Sequence, residues 1–190
     1  MKTRILAIAL FLCTLTAFAQ TQKELETRLA AWCSNSVAGN HEALAEMYYP
    51  KIFEVVPKDK LIESLKSMAN GNGYSLLFLQ TPLNAEYSKI KNIDGGNYSL
   101  VKYDSQMKMI FTSKLTKQEG NEMVETLKAG MNTQDVIFNE ADSSIIIKKK
   151  DEVIAVADSL TNNKWTFLSR SGRPLLVKIF TEKVLKGLGL

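Results

Sequence analysis

The order of apolar and polar positions divides the chain into a helical front, a strand-rich middle and back, and a helical end. Leu25, Leu29, Trp32 and Cys33 recur at helical spacing, which places them on one buried face. Ahead of them Thr21-Gln22-Lys23-Glu24 has the capping-box spacing, a hydroxyl and a carboxylate three residues apart. Gly39-Asn40 ends this helix and opens a second, with Asn40 as its N-cap, and Leu44, Met47 and Tyr48 continue the helical period. Pro50 and Pro57 each belong in a first turn or at a kink, because proline lacks the N–H donor and clashes with the preceding turn. Leu61, Ile62, Leu65 and Met68 form the next stripe, and Gly71 and Gly73 stop it. The prolines thus let short helices wrap a sheet, with Ile52, Phe53, Leu61, Leu65 and Met68 on the buried side. Of two adjacent tyrosines on a helix, about 100° apart, Tyr48 shares a face with Leu44 and reads as core. Tyr49 then reads as nearer an edge.

From Tyr74 the period changes to two. Ser75 to Leu79 reads as a buried strand stopping near Pro82, and Ala85 to Ile93 as a second extended segment. Asp94-Gly95-Gly96-Asn97 is a hairpin turn by composition. It leads into Tyr98 to Tyr103, with Tyr98 and Leu100 on one face and Val101 and Tyr103 on the other. Met107, Met109 and Phe111 then alternate with Lys108, Ile110 and Thr112, the mark of a half-buried strand. Thr116-Lys117-Gln118-Glu119 is a second capping box, and it opens a helix carrying Met123, Val124, Leu127 and Met131. Ser144 to Lys150 and Val153 to Ser159 read as two strands joined by a tight polar turn. Thr161-Asn162-Asn163 turns the chain into a strand on which Trp165 and Phe167 share a face. Pro174 fits the first turn of a closing helix with Leu176, Ile179, Phe180 and Val184 as its stripe. The order predicts an α+β domain: N-terminal helices packed on one face of a curved antiparallel sheet, one inserted helix, and a C-terminal helix.

The N-terminus changes the picture of the compartment. Lys2 and Arg4 precede an apolar run from Ile5 to Leu12, and Ala17-Phe18-Ala19 stands before Gln20. A basic start, a short apolar run and a small-x-small site are the pattern of a cleavable signal peptide over residues 1–19. The run is too short to span a bilayer, which takes about 20 apolar residues, and no membrane span is expected. Cys13 does not read as a lipid-attachment site, since Leu12 stands before it where a small residue is expected. Residues 20–190 then form one exported domain, periplasmic or secreted. Losing Lys2 and Arg4 takes the formal charge from +4 to +2, because the segment holds no acid. A chain so near neutral lacks the clustered cations that nucleic acid requires. The basic run Lys148-Lys149-Lys150, followed by Asp151-Glu152, reads as a solvated strand end or hairpin turn. Cys33 is the one cysteine left, so no intramolecular disulfide forms, and it reads as a buried structural thiol.

The chemical inventory is thin. One histidine and one remaining cysteine give no metal-ligand spacing, and Asp94-Gly95-Gly96-Asn97 is too short for a calcium loop of about 12 residues. No glycine-rich phosphate loop or nucleophile elbow is present, and no cofactor is expected. His41 is the one ready general base by ordinary pKa, but it follows an N-cap and reads as a solvated helix start. Glu42 and Glu46 read as a solvated acidic stripe. Aromatic and methionine residues are mostly core by periodicity. Trp32, Tyr48, Tyr49, Phe53, Met109, Phe111 and Trp165 are the candidates to line a pocket if the helices leave one over the sheet.

The helical start with EALAEMYYPKIFEVVPKDKLIESLKSM, followed by long antiparallel strands, resembles exported bacterial members of the nuclear transport factor 2-like superfamily. The resemblance runs over about residues 25–169. It implies a cone-shaped α+β fold in which N-terminal helices close over a curved sheet. The superfamily holds isomerases, cyclases and dehydratases beside non-catalytic binding domains, so fold does not give function, and no catalytic residue is transferred. Two readings follow. The preferred one is a non-enzymatic exported domain that binds a small apolar molecule or a protein partner. The alternative is a cofactor-free isomerase or dehydratase working by proton transfer, which requires an acid such as Asp104, Glu140 or Asp142 turned inward beside a tyrosine hydroxyl. Homodimerisation through the sheet is compatible with either.

Overall fold

The computed structural model describes residues 22–80, 84–170 and 172–190. The predicted signal peptide, the first capping box, Pro82 and Ser171 therefore lie wholly or partly outside the described residues. The fold is α+β. Helix α1 covers residues 22–37, followed by α2 (His41–Ala45), a 3-10 turn (Pro50–Glu54) and α3 (Lys58–Ala69). Strands β1 (Asn70–Gly71), β2 (Tyr74–Leu79), β3 (Glu86–Tyr87), β4 (Lys91–Ile93) and β5 (Gly96–Phe111) come next. Helix α4 (Lys117–Met131) precedes β6 (Val136–Asn139) and β7 (Ser144–Ala157). A 3-10 turn (Ser159–Thr161), β8 (Thr166–Ser169), α5 (Arg173–Ile179) and α6 (Glu182–Leu188) complete it.

One strand pair organises the sheet. Strands β5 and β7 run antiparallel in unbroken register from Asn97 opposite Ala157 to Ile110 opposite Ser144. The outer edge of β5 is shared by β2, β3 and β4, and that of β7 by β6 and β8. All of these pairs are antiparallel, and the path ends at β1 and β6 without closing. Two strands expected as separate pieces, Tyr98–Tyr103 and Met107–Phe111, are one strand of 16 residues. The expected hairpin at Lys148–Glu152 is likewise absent, since that charged run lies in the middle of the 14-residue β7. Neither face demands an apolar side chain there, so the polar run interrupts the hydrophobic pattern without interrupting the ladder. The predicted turn at Asp94-Gly95 does form between β4 and β5, with both residues at positive φ (52° and 82°) and Ile93 opposite Gly96. That is the backbone a two-residue hairpin needs to match strand twist.

Strand alternation sends odd-numbered residues of β5 and β7 to one face and even-numbered ones to the other. At one end of the odd face, Leu25, Leu29 and Trp32 of α1 pack on Val101, Tyr103, Val153 and Ala155. At the other end, Val124 of α4 packs with Met107, Met109, Ile145 and Ile147. The even face is covered at one end only, where Tyr98, Ile154, Val156 and Leu168 meet Leu176, Ile179, Val184, Leu185 and Leu188 of α5 and α6. Helices therefore occupy both faces, which corrects the expectation of one. The predicted closing helix is two helices, broken at Phe180 and restarted by Thr181, whose hydroxyl caps the Val184 N–H. The second capping box forms as expected, Thr116 and Glu119 each satisfying the other's backbone N–H.

The tyrosine pair corrects another expectation. Met47 closes a turn after α2, and Tyr48 and Tyr49 run extended along the edge of β8, where Phe167 N–H donates to Met47 C=O at 2.8 Å and Tyr49 N–H to Phe167 C=O at 2.9 Å. In an extended chain neighbours point to opposite faces. Tyr48 joins Trp32 on the odd face, at 4.9 Å between ring centroids. Tyr49 crosses to the even face and is 1% exposed, stacked on Phe180 at 5.6 Å. Its hydroxyl donates to Asp158 Oδ2 at 2.7 Å, while Asp158 Oδ1 accepts from the N–H groups of Leu160 and Thr161.

Two stability outcomes follow from this packing. Tyr49→Phe removes a hydrogen bond to a carboxylate and is expected to cost about 2 kcal/mol in urea unfolding. Gly120 is buried in α4, and a Cβ there would fall 2.2 Å from the Phe138 ring on β6. Alanine normally gains about 1 kcal/mol over glycine in a helix. Gly120→Ala is expected to lose stability instead, and adding Phe138→Leu to recover most of it.

Candidate functional site

Between α1 and α4 the middle of the odd face is left open, and a cavity of about 660 Å³ lies over it. Its floor is Tyr103 and Met107 of β5 with Lys149, Asp151 and Val153 of β7. Trp32 and Val37 of α1 form one wall, and Leu76 to Phe78 of β2 with Met131 of α4 another. Its roof comes from α2 through His41 and Leu44, and from α3 through Leu65, Met68 and Ala69. None of the 12 residues of α3 is buried, and Met68 is 51% exposed, where the apolar stripe predicted a packed face. The helix meets the core through half-buried Leu65 and otherwise lies over the cavity. It is tied to α2 by ion pairs, Lys66 to Glu42 at 2.6 Å and Lys58 to Glu46. Such exposed pairs are screened by solvent and hold the helix only weakly. Val37, Met68 and Leu77, three of the exposed large apolar side chains, all border this cavity.

A smaller cavity of about 120 Å³ adjoins it and shares Ser36, Val37, Phe78, Tyr103 and Asp151. Asp151 is thus the boundary between the two. Its carboxylate pairs with Lys149 at 2.7 Å, with both side chains about a quarter exposed (26% and 27%). Burial, and then the Asp151 charge, push the Tyr103 hydroxyl well above its ordinary pKa, while a hydrogen bond from Trp32 acts against both. Burial also raises Tyr48, against a hydrogen bond with Ser169. Both phenols therefore stay protonated across the neutral range. Two polar atoms at these cavities are enclosed and have no hydrogen-bond partner: Ser105 Oγ, in the smaller, and His41 Nδ1, in the larger. Buried polar atoms are nearly always paired. The predicted solvated position of His41 is corrected to a half-buried one in the cavity roof.

Of the residues expected to line a pocket, the structure brings Trp32 and Tyr48 to the larger cavity. Tyr49 and Phe53 belong to the cluster on the opposite face, Phe53 with Lys58 Nζ 5.9 Å from its ring centroid. Met109 and Phe111 pack under α4, and Trp165, 3% exposed, in the core beneath α1. The acids singled out stand elsewhere than the larger cavity's floor. Asp142 pairs with Lys108 at 2.7 Å on the surface, Glu140 is exposed, and Asp104 accepts from Asn84 at 2.8 Å while touching the smaller cavity. The acids at the larger cavity are Asp151 and Glu152, both expected in a strand end or hairpin turn, and Asp151 lies on its floor. Its signal was present in the alternation Ile145, Ile147, Lys149, Asp151, Val153, which keeps one face throughout.

Among the described residues no cluster of three His, Cys, Asp or Glu could hold a metal, and no helix is long and apolar enough to cross a membrane. Comparison with protein-family models, with curated proteins and with solved structures finds no match.

Cys33 borders the smaller cavity. Burial, and secondarily the Asp151 charge, push its thiol from 9.0 up to about 11. At pH 8 the folded protein is expected to react with a disulfide reagent about 100-fold more slowly than the urea-unfolded chain, because the thiolate is the nucleophile. The stability associated with the neutral thiol is complete below about pH 9 and is lost as pH rises toward 11. Cys33→Ala is expected to flatten the fall in unfolding midpoint over that window.

Proposed function

We propose that this protein is an exported, non-enzymatic domain that binds a small, largely apolar molecule between α1, α3 and the odd face of β5 and β7. One observation carries the reading: the cavity of about 660 Å³. Protein interiors pack to crystal density and leave few voids larger than a water molecule, whereas ligand pockets run to about 300–1,000 Å³. A void of that size, roofed by a helix that buries none of its residues, serves no packing purpose. Apolar Leu44, Leu65, Leu76 and Met107 on its walls match an apolar guest, and exposed Val37, Met68 and Leu77 offer it a way in. Export rests on the pattern of residues 1–19, and kinship with the nuclear transport factor 2-like superfamily on the resemblance of the helical front.

A second reading, proton transfer without a cofactor, draws on Asp151 lying beside the Tyr103 hydroxyl. The Lys149 ammonium already occupies that carboxylate at 2.7 Å, which favours binding over catalysis. Conversion of a β,γ-unsaturated ketone to its conjugated isomer by the wild type, lost in Asp151→Asn, would promote this reading over the first.

The neutral fluorophore N-phenyl-1-naphthylamine tests the binding reading. It is expected to bind with enhanced emission and to accept energy from Trp32. Leu65→Trp, which fills the cavity from α3, is expected to weaken binding at least about tenfold, the effect of some 1.4 kcal/mol, with no loss in unfolding midpoint. Equal binding by the variant and the wild type would place the probe elsewhere and remove the proposal.

A further inference from the structure

The polar groups around the cavities restrict the guest further. Lys149, Lys150 and Arg170 border the larger cavity, and each has its own carboxylate: Asp151 at 2.7 Å, Glu86, and Glu152 at 2.6 Å. An anionic ligand would have to break one of these pairs to find a counter-charge. The smaller cavity differs in kind. Among the described residues no lysine, arginine or histidine lines it; its polar lining is two carboxylates, Asp104 and Asp151, with serine hydroxyls and the amides of Gln80 and Gln106. Ser105, 9% exposed, borders this compartment, and its enclosed hydroxyl has no hydrogen-bond partner. Carboxylates and carbonyl oxygens accept hydrogen bonds and cannot donate them. The two carboxylates are acceptor-only and favour a guest that donates, while the serine and glutamine groups can serve either way.

We infer that the ligand is amphipathic, with a hydrogen-bond-donating head, a hydroxyl or an amine, seated between Ser105 and Asp151, and an apolar tail in the larger cavity. This inference rests on the binding reading above and narrows it to a chemical class that excludes fatty acids. The head satisfies the Ser105 hydroxyl, which is otherwise buried without a bond. It also donates to the Asp151 oxygen not engaged by Lys149. At about 120 Å³ the compartment holds a head of a few heavy atoms and no larger polar group. The Trp32–Tyr48–Tyr103 wall, continuous from one cavity to the other, orients the tail.

The experiment displaces N-phenyl-1-naphthylamine with decanol, decylamine and decanoate, on the wild type, Ser105→Ala and Asp151→Asn. Ser105→Ala removes an unpartnered hydroxyl, so it is expected to fold at least as stably as the wild type. Decanol and decylamine are expected to displace the probe at concentrations at least about tenfold below decanoate, a difference of some 1.4 kcal/mol. Ser105→Ala is expected to erase most of the decanol preference, and Asp151→Asn most of the decylamine preference. Decanoate binding as well as or better than the others would overturn the inference and direct attention to His41 Nδ1 as the donor. Retention of the full head-group preference by both variants would overturn it too. If the naphthylamine itself does not bind in the cavity, the binding reading falls, and this inference with it.

Discussion

The backbone ladder between β5 and β7 is the constraint to which the rest of the molecule answers. Fourteen consecutive residue pairs are held in one register, so the two strands form a ribbon about 45–50 Å long at roughly 3.4 Å per residue. A helix is about 10 Å across, and no single helix laid over such a ribbon covers it. The chain answers with separate coverings: α1 at one end of the odd face, α4 at the other, and α5 with α6 behind the first. Each builds its own apolar cluster. Where the coverings do not meet, the ribbon remains open, and there the sequence places charges and hydroxyls.

That division explains why the cavity has the character it does. Its apolar walls are the inner edges of the two clusters on the odd face, and its polar floor is the uncovered stretch of ribbon between them. The α3 part of the roof buries none of its residues and reaches the core through half-buried Leu65. Helix α3 is held by surface ion pairs to α2, by the short β1 hairpin at its end, and by a few half-buried side chains such as Leu65. An element held in this way belongs to the low-stability end of a fold, from which ligand-binding segments are drawn. The neighbouring edge is the opposite case. Met47 to Tyr49 are stitched to β8 by two backbone bonds, and Tyr49 is locked between Phe180 and Asp158. The firm segment and the loose one adjoin, separated by the 3-10 turn that Pro50 opens.

The helical front, the inserted helix with its capping box, the Asp94-Gly95 turn and the α+β order were all legible in the sequence, because each has a local signal. Hydroxyl and carboxylate spacing marks Thr116, and helical period marks Leu25, Leu29 and Trp32. What was not legible depends on contacts between distant segments. Lys148 to Glu152 look like a turn on any local scale, and only pairing with Lys102 to Gln106 keeps them in a strand. Tyr48 and Tyr49 look helical because helices surround them, and only the bond to Phe167 makes them extended. The expected pocket lining departs from the structure for the same reason. Periodicity identifies which residues are apolar, but Met109 and Trp165 are core while Trp32 and Tyr48 face a void, and that distinction rests on where α1 and α4 stop covering the ribbon.

The charged run at the centre of β7 has a meaning before the protein folds as well as after. Ile145-Ile146-Ile147 on one side and Val153 to Ala157 on the other are β-prone, apolar and free of proline, the composition that seeds stacking between identical chains. Five consecutive charges between them act as gatekeepers. Parallel, in-register stacking of unfolded copies would set Lys148, Lys149 and Lys150 against their own images, rung upon rung. The antiparallel partner in the native fold sets serine, aspartate and glutamine against them instead. The residues that leave the native ribbon open at its centre are thus the same ones that penalise its self-association as an unfolded chain.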